Sequence, residues 1–336
     1  MRAFQINEFG IERLALVERP DPSPAANEVV IRSDAWSLNY RDVMVVEGLY
    51  NPRMKLPATP LSDTVGEVVE VGAAVKRWKP GDRVMPIFAQ RWFDGPPNAE
   101  VVRTALGAGP QWDGVFCEAS AFDEQALVAV PENLTNAEAA TLPCAALTAW
   151  NGLVVSGGLK AGDTVLTLGS GGVSVFALQI AKMFGAKVIS TSSSDEKLGK
   201  LKDLGADEVI NYLEHPQWDA RVMELTGKRG VDHVVEVGGS GTLSRSVNSA
   251  RIGGHVAMIG ALETSGDFDP VRAFMRSIRL QGIFVGSRAM LEDMLRAFDA
   301  NEVRPVIDRA FGFEDGPGAL EYMRTGSHFG KIVIEH

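Results

Sequence analysis

The sequence predicts an α/β protein: a mostly β domain, then a doubly wound parallel sheet. Three observations carry this. Short strands broken by Pro and Gly fill roughly the first 120 residues. Strands and helices alternate after Leu134, and a glycine-rich turn follows an apolar strand at residues 164–174. At 336 residues the chain is long for one core and comfortable for two domains.

The first part reads as the strands RAFQI, EVVIRSDAWSL, DTVGEVVEVG and DRVMPIF. Between residues 91 and 114, Gly95, Pro96, Pro97, Gly107, Gly109 and Pro110 predict a long loop. Its Trp92, Phe93 and Trp112 either fold over something apolar or pin the loop to its own domain. The Ala-rich run NAEAATLPCAALTAWNGLVV is helical in character, with Pro143 as an interruption. TVLTL, a helix to Phe184, KVIST, a helix from Asp195 to Leu204, EVINY, a further helix, VDHVVEV, a helix and HVAMIGAL then alternate. Such alternation predicts a parallel sheet with helices on both faces. LQGIFVG supplies a sixth strand, LEDMLRAFDAN a helix and KIVIEH a terminal strand.

Composition removes several classes of function. The formal charge is −10 and no stripe concentrates Lys or Arg, so no nucleic-acid partner is expected. No apolar run approaches the roughly 18 residues of a membrane helix, so no membrane partner is expected either. MRAFQINEFG lacks the apolar core and cleavage site of a signal peptide, which makes cytoplasmic residence the expectation. Cys117 and Cys144 are too few for a disulfide framework, and neither CxxC nor HExxH occurs. The five histidines are scattered, so a metal site is hard to assemble.

The turn Gly169-Ser170-Gly171-Gly172-Val173-Ser174 is weak as a motif, because serine stands in the third glycine place. Its context is stronger. TVLTL precedes it, Val173, Phe176, Ala177, Ile180, Ala181 and Phe184 follow at helical spacing, and Gly185 ends that helix. Gly169, Gly171 and Gly172, with Val173, would bring backbone N–H groups against a pyrophosphate at the positive end of the helix. A merely tight turn is the alternative. About 20 residues beyond such glycines an Asp or Glu often grips a ribose hydroxyl. Here the stretch is TSSSDEKL, and Ser192 stands in the acid's place.

A carboxylate there would repel a 2′-phosphate. Ser192, Ser193 and Ser194 offer hydroxyls instead, Lys197 offers a cation, and Tyr212 ends the following strand. Hydrogen bonds to a charged group contribute about 1.5–3 kcal/mol each, so two favour NADP over NAD by roughly two to four orders of magnitude. The serines can cap the next helix at the same time. On the other half of the sheet, Gly238 and Gly239 follow VVEV, and Ile259, Gly260 and Ala261 follow HVAM. Both sets lie at carboxyl ends of strands, where a cofactor crevice opens.

SLNYRD at 37–42, PLSDTVGEVVEVG at 60–72, WKPGDRV at 78–84, AATLPCAALTAWNGL at 139–153, GSGGVS, LGADEVINY at 204–212 and the terminal HFGKIVI occur in order. Together they resemble, nearly end to end, the medium-chain dehydrogenase/reductase superfamily, and within it the zinc-less quinone oxidoreductase-like branch. The resemblance implies a Rossmann doubly wound parallel sheet plus a mostly β GroES-like catalytic domain, arranged as a homodimer. The catalytic domain would span 1–123, completed by 289–336, and the dinucleotide-binding domain 124–288. Zinc members of the superfamily hold a catalytic metal with a Cys in the first motif, His followed by Glu in the second, and a Cys or Asp later. This chain has Asn39, then Ser62 and Asp63, then Cys144, and no cysteine between Pro86 and Gly114, where a four-cysteine lobe would fall. That inventory predicts no zinc.

Further roles are implied by the same resemblance. Tyr50 and Thr148 would lie beside the nicotinamide, Phe284 and Val285 near that end of the coenzyme, and Gly330 and Lys331 near the adenine phosphate. Asn39 can donate an amide N–H to a carbonyl, and Tyr40 can face the nicotinamide or donate its hydroxyl. Core packing is the alternative for Tyr40 and Tyr50. Asp42 is expected to pair with a nearby Arg or backbone. Met44 replaces a tyrosine of the branch, which weakens any borrowed quinone specificity.

Without a Lewis acid nothing stabilises an alkoxide, so an unactivated alcohol is a poor substrate. A quinone, an enone or an enoyl thioester is already electrophilic and needs only hydrogen-bond donors at its oxygen. The expected activity is therefore NADPH-dependent, metal-free reduction of such a small electrophile. Two other readings stay open: a zinc-dependent alcohol dehydrogenase with atypical ligands, and a non-catalytic NADPH-binding protein.

Overall fold

The structure is a computed structural model that describes residues 1–336 except 110, 261–265 and 267. The chain divides into two compact units, Met1–Leu147 with Gly286–His336, and Thr148–Val285.

In the first unit the strand Glu28–Ser37 is central. Its alternating apolar residues end in Trp36, whose ring packs with Phe116 and Phe313 in the core. It pairs antiparallel with Asp63–Val71, with Ala119–Asp123 and with the terminal strand Lys331–Glu335. The registers place Ser37 opposite both Asp63 and Val333. One sheet edge thus gathers three chain segments that are far apart in sequence. The sheet continues through Arg83–Pro86 to Leu127–Ala129, and on the other side to Ile307–Gly312. The aromatic loop after Arg91 is pinned to its own unit. Trp92 is buried, its indole N–H bonds Gly95 O, and the backbone of Trp92 and Phe93 accepts from Arg288 and Ala289.

The division between units differs from the sequence expectation of 123/124. Leu127–Ala129 pairs with Arg83–Pro86, and the helix Asn136–Ala140 packs on Glu28–Ser37 and Asp63–Val71. The change to helical composition near Leu134 marks a new element of the first unit, and the chain crosses to the second only after Leu147. Pro143 lies in a widened helical turn, Leu142–Ala146, and a second wide turn follows at Asn151–Ser156. Such π-type turns accommodate a break in the usual helical ladder.

The second unit carries six strands: β1 (Thr164–Leu168), β2 (Lys187–Ser192), β3 (Glu208–Asn211), β4 (Val231–Glu236), β5 (Ala250–Met258) and β6 (Arg279–Gly282). Their helices are α1 (Gly172–Met183), α2 (Asp195–Asp203), α3 (Trp218–Leu225) and α4 (Ser240–Ser249). All pairs are parallel, in the order β3-β2-β1-β4-β5-β6. The order reverses between β1 and β4, so the crevice of a doubly wound sheet opens at the carboxyl ends of those two strands. Continuous burial of Val231–Glu236 is what a central strand covered on both faces requires. Among the described residues no helix is long and apolar enough to cross a membrane.

On the adjacent interior strands β4 and β5 two buried histidines stack edge to face. His233 Nε2 lies 3.1 Å from Asp163 Oδ2, and His255 Nε2 lies 3.0 Å from Ser156 Oγ. Burial, reinforced by His233 and Arg279, holds His255 down at about 4 against an ordinary 6.5. The unfolded chain therefore takes up this proton first as the pH falls. Stability is complete above pH 6.5 and declines between there and pH 4, by about 3 kcal/mol at most. His255→Gln should flatten that limb in urea titrations between those two pH values; an unaltered slope would contradict the assignment.

Candidate active site

In the second unit, Gly169 leaves β1 with φ +72°, a conformation that a side chain would strain. Gly171 caps α1 in extended conformation, and the first-turn amides of Gly172 and Val173 have no helical carbonyl to pair with. These amides can receive a phosphate at the positive end of a 12-residue helix. Serine in the third glycine place is accommodated by chemistry rather than by space. Ser174 is buried, and its hydroxyl donates to Leu168 O at 2.6 Å, tying the helix to the end of β1.

The edge formed by β2 and β3 brings four of the sequence-predicted residues together. Ser192 ends β2 and is buried; its carbonyl accepts from Tyr212 N–H at 3.1 Å. Ser193 is exposed beside it, and Ser194 caps α2 by accepting from Lys197 N–H. Lys197 thus stands in the first turn of α2. No carboxylate ends β2. The nearest acid in sequence, Asp195, accepts from Asn211 Nδ2 at 2.7 Å.

At the carboxyl end of β4 the structure adds a residue the sequence reading missed. Glu236 is buried, and its carboxylate accepts from Gly238 N–H (2.7 Å), Gly239 N–H (3.0 Å), Thr242 Oγ1 (2.6 Å) and Ser246 Oγ. It occupies the positive end of α4. Gly238 and Gly239 therefore shape that wall without offering free donors. Glu236 O also accepts from Ile259 and Gly260 N–H. A Cβ at Gly260 would sit 1.8 Å from Val237 O, so only glycine fits. Ala261 lies outside the described residues. Thr148 is buried at the start of this unit, and Phe284 and Val285 follow β6 at its end. Val285 holds φ +41°, strained for a β-branched residue, with its carbonyl accepting from Asn151 Nδ2 at 2.8 Å.

In the first unit a second group of polar residues forms where the sheet register joins its three segments. Asn39 precedes the helix Tyr40–Val46 and its backbone N–H donates to Asp42 Oδ2 at 2.8 Å. Its Nδ2 donates to Asp63 Oδ2 at 2.9 Å, and its Oδ1 accepts from Lys331 Nζ at 2.8 Å. Lys331 also donates to Leu38 O, while Ser62 Oγ donates to Asp63 Oδ1. Asp63 and Lys331 are buried almost completely. Burial raises the Asp63 carboxyl and lowers the Lys331 ammonium from their ordinary values, with each one's charge opposing the other's shift. Burial pushes Asp42 up to about 6 despite Arg41. It pushes the Cys144 thiol up as well, helped by Asp63, so the sulfur stays protonated.

Lys331 is the residue expected near the adenine phosphate. Its ammonium donates to Leu38 O and Asn39 Oδ1 inside the first unit. Gly330 is held there too: φ is +75°, and a Cβ would meet Val306 O at 2.5 Å. The signal available in the sequence was a lysine opening an otherwise apolar strand. Tyr40 and Tyr50 are 43% and 42% exposed, so neither is packed in a core. Arg41, also missed, lies between the rings of Tyr50 and Phe88, 5.0 Å from each, with Nη1 3.3 Å from Asp42 Oδ1.

A doubly wound parallel sheet with a glycine turn at its crevice is joined in one chain to a mostly β unit, and comparison with known proteins gives the family. Residues 25–132 match the alcohol dehydrogenase GroES-like domain, and residues 172–300 match the zinc-binding dehydrogenase family. A zinc-type alcohol dehydrogenase-like protein of Schizosaccharomyces pombe is 41% identical over 92% of this chain and 90% of its own length. An acryloyl-coenzyme A reductase of Sulfurisphaera tokodaii is 29% identical over 95% of this chain and 96% of its own. The crystal structure of the 2-octenoyl-CoA carboxylase reductase CinF, in complex with NADP and 2-octenoyl-CoA, superposes with a TM-score of 0.89 at 25% identity, covering 99% of this chain and 87% of that one. The chain belongs to the medium-chain dehydrogenase/reductase superfamily.

The family name implies zinc, and the residues present do not fit it. The matched positions offer an amide, a hydroxyl, one carboxylate and a protonated thiol, and a lysine ammonium points at the amide oxygen. A cation there repels a second one, and amide and hydroxyl oxygens are poor zinc ligands. Among the described residues no three His, Cys, Asp or Glu gather into a group able to hold a metal.

Proposed function

We propose that this chain is an NADPH-dependent, metal-free reductase of activated carbon–carbon double bonds or quinones, acting as a homodimer. The observation that carries the coenzyme choice is the edge of Ser192, Ser193, Lys197 and Tyr212, where the strand ends on hydroxyls in place of an acid. The reductases of acryloyl- and 2-octenoyl-CoA among its relatives favour an electron-poor double bond as the acceptor.

Bound NADPH would supply the hydride. Gly169, Gly171, Gly172 and Val173 would hold its pyrophosphate, and Gly260 would leave room along the crevice. Ser192, Ser193 and Lys197 would take the 2′-phosphate. Thr148, Phe284 and Val285 are proposed for the nicotinamide end. Asn39 would donate an amide N–H to the acceptor's carbonyl oxygen as negative charge develops there. Tyr40, next to it in sequence, and Tyr50, both exposed, are the candidates to deliver the proton. For the dimer, β6 is an edge strand, and the neighbouring Phe274 and Met275 expose most of their apolar surface.

The test follows coenzyme consumption with 1,4-benzoquinone, a short enone and an enoyl thioester. NADPH should give a kcat/KM at least about a hundredfold above that of NADH. Equal use of both coenzymes would overturn the proposal.

A further inference from the structure

We propose that Lys331 is a built-in cation standing where relatives' names imply a metal: it excludes zinc and fixes the Asn39 amide so that one N–H is left for a substrate oxygen.

A primary amide can be seated either way round, and its neighbours here decide which. Lys331 Nζ offers only donors, so it takes Oδ1; the Asp63 carboxylate offers only acceptors, so it takes one hydrogen of Nδ2. Reversal would set ammonium against NH2 and carboxylate against oxygen. The Asn39 amide thus bridges a buried Lys–Asp pair, and the bridge leaves it one further N–H. Polarisation of Oδ1 by the ammonium strengthens that remaining donor. Asp63 is held in turn by Ser62, and Lys331 by Leu38 O, so neither partner can swing freely. The second buried carboxylate, Asp42, is engaged by Arg41 and the Asn39 backbone. The ammonium therefore balances Asp63, and a divalent ion binding among these side chains would have to displace it.

Lys331 is a positioning residue here, and its effect on turnover rests on the reductase reading. Exclusion of metal does not. The experiment begins with wild-type protein incubated with Co2+ and desalted. No cobalt retained and no ligand-field absorption are expected; one bound equivalent with those bands would overturn the inference even if the protein reduces every acceptor. Lys331→Met alone strands Asp63 and is expected to unfold or melt early. The double variant Lys331→Met/Asp63→Asn removes both charges and is compared with Asp63→Asn. It should turn over about a hundredfold more slowly than Asp63→Asn, with KM for NADPH unchanged. Equal turnover of the two variants would overturn the positioning role while leaving the reductase reading intact. If the double variant does not fold, the cobalt result decides. A wild-type chain inactive on every electrophile would instead sink the reductase reading alone.

Discussion

Ser192→Asp should reverse the proposed preference for NADPH. The side chain stands at the end of β2, beside the first turn of α2 that carries Lys197. The new carboxylate would meet a 2′-phosphate with like charge and could pair with the free ribose hydroxyls of NADH. Loss of a charge-assisted hydrogen bond costs about 1.5–3 kcal/mol, and a like-charge contact adds to it. kcat/KM with NADPH should therefore fall by about a hundred- to a thousandfold while NADH use rises. The ratio of the two specificity constants is the measurement, since a general loss of fold lowers both together. Lys197→Glu should move the same ratio in the same direction. An unchanged ratio in both variants would place the phosphate elsewhere.

The second large effect belongs to Asn39. Asn39→Ala removes the proposed donor to the substrate oxygen and lets Lys331 and Asp63 approach each other directly. The pair stays neutral, so the core of the first unit should survive. An oxyanion donor acts mainly in the transition state, and its loss costs about a hundred- to a thousandfold in kcat. KM for NADPH, whose proposed binding residues lie in the second unit, should hardly change. A variant whose kcat stays within about threefold of wild type would remove Asn39 from the reaction.

Both predictions rest on features of different legibility. The second unit could be read almost directly, because β-branched runs and helical spacing are local and its central strands are buried for most of their length. The Ser192 edge was readable for the same reason: strand, turn and next helix lie within a few dozen residues. The role proposed for Lys331 was not. It lies 292 residues from Asn39, and only the antiparallel register of Lys331–Glu335 on Glu28–Ser37 brings them together. A buried charge is legible only with its partner, and long-range pairing chooses the partner. Glu236 is intermediate. An acid inside the apolar strand VDHVVEV announces a buried carboxylate, but its acceptance of two glycine amides and two hydroxyls depends on how α4 begins. The division after Leu147 is harder to read, because the change from strands to helix near Leu134 occurs within the first unit.

The most direct measurement is NADPH-driven reduction of the best acceptor by protein dialysed against a strong chelator, with zinc content measured on the same sample. The internal ammonium and the serine edge predict an undiminished rate at negligible zinc, and no gain on adding zinc back. A rate that disappears on chelation and returns with one equivalent of zinc would contradict the account.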